Sequence, residues 1–175
     1  MRLAGFVGRQ LPCGYGQWAP ADIISSITAP VSVTGTTAET NLAALRIPAN
    51  SMGKNGIIEV RLLWSYTNSS NTKTFIHKLA TVSGLIGGQF IAGNQAVTTT
   101  ASSQGLLITR NNNATNAQIS WAANPGVPFS TTGAALIAGS IDTTQDVYVN
   151  ISALLASAAE TVTLQRATAI VYYAP

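Results

Sequence analysis

The stretch IIEVRLLWSYTNSSNTKTFIHKLA, residues 57–80, decides the fold. Apolar residues recur at every second position, at Ile58, Val60, Leu62, Trp64 and Tyr66. Glu59, Arg61, Ser65 and Thr67 fall between them, with Leu63 the exception. A period of two belongs to a strand with one buried face, not to a helix. TNSSNTKT follows, a cluster of residues whose short side chains bond nearby backbone and favour turns. Beyond it, Phe75, His77 and Leu79 alternate with Ile76, Lys78 and Ala80. Two alternating runs around a polar loop predict a β-hairpin.

The same period recurs along the chain. Leu106, Ile108 and Arg110 alternate before the turn-rich NNNATN, and Ile119 and Trp121 share one face of AQISWA. Val147, Val149 and Ile151 alternate with Tyr148, Asn150 and Ser152. In the last run Val162 and Leu164 share a face, followed by Ala169, Val171 and Tyr173 at similar spacing. Helix signals are weak. Thr36 stands three residues before Glu39, the spacing of a capping box, yet LAALRIP alternates as a strand would and Pro48 ends it either way. SALLASAAE is a second, short candidate. About eight to ten strands with irregular breaks predict an all-β, two-sheet sandwich.

Composition narrows the class. Only 9% of the 175 residues are charged, against about 25% in ordinary domains. The net charge of +3 therefore reflects a small excess of Lys and Arg, and no cluster of them forms a stripe suited to nucleic acid. A monomer with so few charges disperses poorly, and burial against other copies or another protein would relieve that. No run approaches the ~18 apolar residues of a membrane-spanning helix. MRLAGFVGRQLPCGYG lacks a continuous apolar segment of signal-peptide length, so cytosolic synthesis is expected. A single cysteine, Cys13, allows neither an intrachain disulfide nor a cysteine metal set. The Asn-x-Ser/Thr triplets at Asn68, Asn113 and Asn150 follow from abundant Asn, Ser and Thr.

Catalytic constellations are hard to assemble. His77 is the only histidine and shares a strand face with Phe75 and Leu79, which suits a partly buried or edge-facing strand residue better than a base. VSGLIGGQF is glycine-rich but has no phosphate-loop lysine. Asp142 and Asp146 are the only acids close in sequence, and they read as solvated turn carboxylates rather than a calcium site or a hydrolytic pair. The expectation is no catalytic residue, no cofactor and no metal. Trp64, Tyr66 and Trp121 read as core or interface aromatics before ligand platforms.

Residues 1–30 differ from the rest. GFVGRQLPCGYGQWAPAD mixes Gly, Pro and spaced aromatics with neither period, and predicts an extended N-terminal arm ahead of a sandwich domain at 31–175. Phe6, Tyr15 and Trp18 are the candidate anchors of that arm. Arg2 and Arg9 would add salt-sensitive attachment to an acidic partner. The arm docks on its own domain or on a neighbour. With Trp64 and Tyr66 these residues make up the expected assembly surface.

TGTTAETNLAALRIPANSMGKNGIIEVRLLWSYTNSSNTKTF, residues 34–75, resembles a β-rich structural domain recurrent in virion proteins of tailed bacteriophages. Gly35 to Thr40, Leu42, Ile47 to Ala49, Gly53, Asn55, Gly56, Trp64 to Ser69, Asn71 and Lys73 carry the likeness. ITRNNNATNAQIS, residues 108–120, is similar to the family's second signature. The resemblance covers most of residues 31–173. The strand KTFIHKLATVSG departs from the family's more basic pattern there, and the arm matches nothing in it. The resemblance implies a jelly-roll-like antiparallel β-sandwich, a homo-oligomer with a trimer favoured, and location in the virion. It also implies contact with the major capsid protein or another virion protein, with no nucleic acid or membrane partner. Capsid decoration or cementing is one expected role. A tail-associated receptor-binding or fibre-tip protein, with loops 67–74 or 111–117 on host glycan, is the alternative, and a polysaccharide depolymerase using Asp142 and Asp146 the least favoured.

Overall fold

The computed structural model describes residues 21–86, 90–120 and 135–175. Eleven strands make up the regular structure of these residues: β1 (Ala21–Ile27), β2 (Val31–Thr34), β3 (Thr40–Ile47), β4 (Ile57–Tyr66), β5 (Lys73–Ala80), β6 (Phe90–Val97), β7 (Ser102–Asn111), β8 (Gln118–Ser120), β9 (Ile137–Gly139), β10 (Val147–Leu155) and β11 (Thr161–Tyr172). Neither weak helix signal forms a helix. Leu42, Leu45 and Ile47 of β3 point into the core, and SALLASAAE begins inside β10 and ends in a turn. Glu39 caps nothing; its carboxylate accepts from Lys78 Nζ at 2.7 Å.

The alternation of β4 holds as read: Ile58, Val60, Leu62, Trp64 and Tyr66 are all buried. The hairpin does not. β4 pairs with β7 and β11, whereas β5 pairs with β6 and β10, so the loop between them crosses from one sheet to the other. Alternation fixes which face of a strand is apolar, and a hairpin and an inter-sheet arch share that pattern. The arch brings the two apolar faces together. The Trp64 ring stacks on Phe75 with centroids 4.4 Å apart and planes 7° from parallel, and Tyr66 tilts onto Phe75 at 5.4 Å. Such ring pairs contribute about 1 kcal/mol beyond the area they bury.

The larger sheet has the order β1-β11-β4-β7-β8-β9, with β2 also on β11, and the smaller β3-β10-β5-β6; every pair is antiparallel. The chain crosses between sheets at β2–β3, β3–β4, β4–β5, β6–β7, β9–β10 and β10–β11. The last two strands fit between earlier ones, β10 between β3 and β5, β11 between β1 and β4. That interleaving of two antiparallel sheets is the jelly-roll sandwich, here with β8 and β9 extending one edge.

Besides a register shift between Ile23 and Ser25 in β1, two irregularities shape the larger sheet. β1 and β2 lie end to end on β11: Ile27 stands opposite Ala167 and Val31 opposite Leu164. Thr28–Ala29–Pro30 interrupts what is otherwise one edge strand, at a proline that has no N–H to give a ladder. Residues 21–27, assigned to the arm from sequence, are therefore part of the sandwich. The second irregularity is a bulge in β11, where Trp64 faces Leu164 and Leu63 faces Arg166, leaving Gln165 extra. It moves the buried positions from Val162 and Leu164 to Ala167, Ala169 and Val171, and it turns Arg166 out to solvent.

Candidate assembly surface

The residues expected at a contact separate sharply. Trp64, 1% exposed, and Tyr66 are core side chains, packed against Phe75. Buried aromatics cannot meet a partner while the sandwich is closed, so neither belongs to an assembly surface. Arg2, Phe6, Arg9, Tyr15 and Trp18 lie outside the described residues, as do Cys13 and Trp121.

The groups weighed for chemistry are held apart. His77 is buried beside Gly93 on β6, and no well-formed hydrogen bond reaches either ring nitrogen. Burial lowers its pKa to about 4, with only the Gly93 backbone acting the other way. The Asp142 carboxylate accepts from the Thr144 hydroxyl and backbone of its own turn, which hold its pKa down. Asp146 accepts from the Ala49 N–H at 3.0 Å and pairs with Arg46 at 2.7 Å, and these two partners lower it in that order. The two acids thus serve different partners. Among the described residues no three His, Cys, Asp or Glu side chains gather to hold a metal.

The residues carrying the phage resemblance build the two ends of the sandwich. At one end Lys73 is fully buried, and its Nζ donates to Ser69 Oγ at 2.8 Å and to the Asn71 carbonyl at 2.9 Å. It lies 3.4 Å from the buried Glu160 carboxylate, to which Ser69 also donates. Burial pushes that carboxyl up, but bonds from Ser69, Asn71 and Lys73 outweigh it and hold Glu160 below its usual range. Tyr66 Oη meets Thr100 Oγ1 at 2.9 Å on the same side. WSYTNSSNTK is thus the clasp of the β4–β5 arch.

At the other end the clasp is made of amides. Asn111 Nδ2 donates to the Gly53 carbonyl at 2.6 Å and to Thr143 Oγ1 at 2.8 Å. Gln118 Nε2 donates to Asn111 Oδ1 at 2.9 Å and to the Ile141 carbonyl at 2.8 Å, and its Oε1 accepts from the Ile141 N–H at 2.7 Å. Gly53 has φ of +71°, and a Cβ there would strike the Ala174 carbonyl; a Cβ on Gly56 would strike that of Met52. Only glycine fits at either place. Asn55, between them, donates to the Pro175 carbonyl and accepts from the Asn113 N–H. The second signature, through Asn111 and Gln118, belongs to this network.

The outer faces of the two sheets differ. On the smaller sheet Lys78 and Asn150 are buried beneath the segment after β5, and Ser152 is buried beside Glu39. Asn150 Nδ2 donates to the Val82 carbonyl at 2.9 Å and its Oδ1 accepts from the Gly84 N–H at 2.8 Å, while Lys78 reaches Glu39 and the Ile86 carbonyl. The chain itself covers that part of the face and closes Asn150 to modification, while Arg46 stays exposed and Tyr148, Ile76 and Leu154 half-buried. On the larger sheet Ile23 is 68% exposed, Leu63 48% and Ile108 46%, and Ile57, Leu106 and Ile170 are half-buried around them. Register aligns them: Ile23 beside Ile170, Ile170 beside Glu59, Glu59 beside Ile108. Leu63, the exception to alternation in β4, belongs to this apolar face. Sequence alternation missed the face as a whole, because β4, β7 and β11 carry apolar residues on both sides.

The architecture therefore defines an all-β, jelly-roll sandwich with one outer face partly covered by its own chain and the other bare. No protein-family model matches the chain, and no curated protein does. Solved structures with a similar strand arrangement include a chain of the infectious bursal disease virus Gt strain, 14% identical at a TM-score of 0.38. That match covers 98% of this chain and 38% of the viral one, so this chain spans well under half its length. Winged bean acidic lectin complexed with methyl-α-D-galactose is 10% identical at 0.36, covering 90% of this chain and 94% of the lectin. A chain of sacbrood virus of honeybee, in expansion state II, is 9% identical at 0.35, covering 86% and 80%. At such scores the likeness reaches no further than a sandwich of antiparallel sheets.

Proposed function

We propose that the protein is a non-enzymatic structural subunit of a tailed-bacteriophage virion that decorates or cements the capsid surface as a homo-oligomer. The observation that carries this reading is the bare apolar face of the larger sheet, left open while the charges elsewhere are largely paired or buried. Exposed aliphatic side chains gathered on one sheet face mark interaction sites. The phage resemblance supplies the kind of assembly. Its signature residues serve the scaffold, as expected of a domain whose business is to hold shape and present a surface. Segment 1–20, with Phe6, Tyr15 and Trp18, is assigned the role of anchor on the major capsid protein or another virion protein.

Quantitative mass spectrometry of purified particles tests this reading. A copy number matching the capsid lattice supports it, and absence from particles overturns it. A copy number matching the tail would favour the receptor-binding alternative, for which loops 67–72 and 112–117 present exposed Asn and Ser side chains. Deleting residues 1–20 should abolish attachment and leave the sandwich folded. The deletion stops short of β1, whose loss would unpair one edge of β11.

A further inference from the structure

We propose that the cleft across β11 on the bare face is a docking groove for an extended segment of a second protein bearing aliphatic and acidic side chains. The open cleft has a volume of about 280 Å³ and is lined by Ile23 of β1, by Arg166 and Ile170 of β11, and by Arg61 and Leu63 of β4. Thr168, short and buried, forms its floor. The bulge at Gln165 creates the arrangement, because it turns Arg166 outward beside Leu63 instead of into the core.

Charge identifies the occupant. Arg61 pairs with Glu59 at 2.6 Å and is neutralised on its own strand. Arg166 donates from Nε to Thr168 Oγ1 at 3.3 Å, and Arg110 donates to Asn112 Oδ1 at 2.8 Å. Neither is among the four ion pairs of the described residues, so this apolar face carries two guanidinium groups without a counter-charge. A carboxylate set down at the cleft would meet the free N–H groups of Arg166, a planar fork suited to two parallel hydrogen bonds. Aliphatic neighbours of that carboxylate would lie along Ile23, Ile170 and Leu63.

Charge also excludes the nearer occupants. A second copy laid face to face would bring the same sign against itself. Segment 1–20 holds Arg2 and Arg9 and no acid, so it too has the wrong sign. The groove goes beyond the assembly reading and holds whatever particle the partner belongs to.

The test is an amide-shift titration of isotope-labelled full-length protein with two peptides, Ac-Leu-Asp-Leu-Glu-Leu-NH2 and its lysine counterpart Ac-Leu-Lys-Leu-Lys-Leu-NH2. The acidic peptide should shift Ile23, Leu63, Arg166, Thr168 and Ile170, less so as salt is added. Arg166→Glu, a change at an exposed position, should weaken it about fivefold and move the preference toward the lysine peptide. Leu63→Ser should weaken both peptides without altering the preference. Equal response to the two peptides, or shifts away from the cleft, overturns the proposal. So would the same shifts appearing when the protein alone is concentrated, which would place a second copy in the groove. Shifts at these amides on deleting residues 1–20 would give the groove to the chain's own N-terminal segment, and a response to lactose with none to peptide would give it to a saccharide.

Discussion

The two ends of the sandwich solve one problem by different chemistry. Where loops cross between sheets, polar groups are dragged into a dry interior and must find partners there. The arch end does this with an ion pair, Lys73 and Glu160, bridged by Ser69. The opposite end does it with neutral amides, Asn111 and Gln118, and a hydroxyl, Thr143. The ionic clasp depends on a proton equilibrium and the amide clasp does not. The two clasps therefore differ in their response to acid; the carboxylates near the amide clasp, Asp142 and Asp146, take their bonds outside it.

The largest expected effect is at the ionic end. Lys73→Met strands a buried carboxylate and should cost about 3–5 kcal/mol of unfolding free energy, read from denaturant midpoints. Adding Glu160→Gln should recover part of that loss, and a double-mutant cycle with no coupling would show that the pair does not act as one. The acid response follows from the sign of the shift. Glu160 has a folded pKa below its unfolded value, so its contribution is present at neutral pH and is lost as pH falls through the folded value. Hydrogen exchange in loop 67–72 should rise with acid before that in loop 112–117.

Asn111→Leu comes next. It leaves the Gly53 carbonyl, Thr143 and Gln118 short of partners, at a cost of about 2–3 kcal/mol that should not vary through the carboxylate range. A pH-dependent loss would break the contrast between the ends. A third effect lies between them. His77 is depressed to about 4 from 6.5, so the unfolded chain binds the proton first and stability falls as pH drops from 6.5 toward 4. His77→Leu should abolish that slope and gain about 2 kcal/mol near pH 5. The acid loss that remains would then come from the carboxyls that folding holds low, Glu160, Asp142 and Asp146. The smallest effect is on the bare face: Leu63→Ser should leave the thermal midpoint of the isolated protein almost unchanged, within about 0.5 kcal/mol.

Much of the fold was legible because strand faces have a period of two. The apolar rows of β4 and β10 could be read residue by residue, and so could Val162, Leu164, Ala169 and Val171 of β11, but without the bulge that shifts one pair against the other. Pairing was not legible. Nothing local distinguishes the arch at 67–72 from a hairpin, because the difference lies in β10 and β11, made much later in the chain. Lys73 reads as a solvated turn residue until Glu160, distant in sequence, is brought beside it. The bare face had one trace in sequence, the misplaced Leu63. Its partners Ile23 and Ile108 come from strands whose register alternation leaves open.

The position of β11 has a consequence for synthesis. Its residues 161–172 stand between β4 on one side and β1 with β2 on the other. A ribosome that has made everything up to Glu160 has produced the strands of the larger sheet without the one that joins β1 and β2 to β4. In that nascent chain β1 and β2 have no neighbour to pair with, and β4 has one open edge. Closure must wait until residues 161–172 leave the exit tunnel, so the sandwich matures in one late step rather than strand by strand. Chains cut short before that point keep unpaired strand edges exposed, and only molecules translated through β11 present the finished face to a partner.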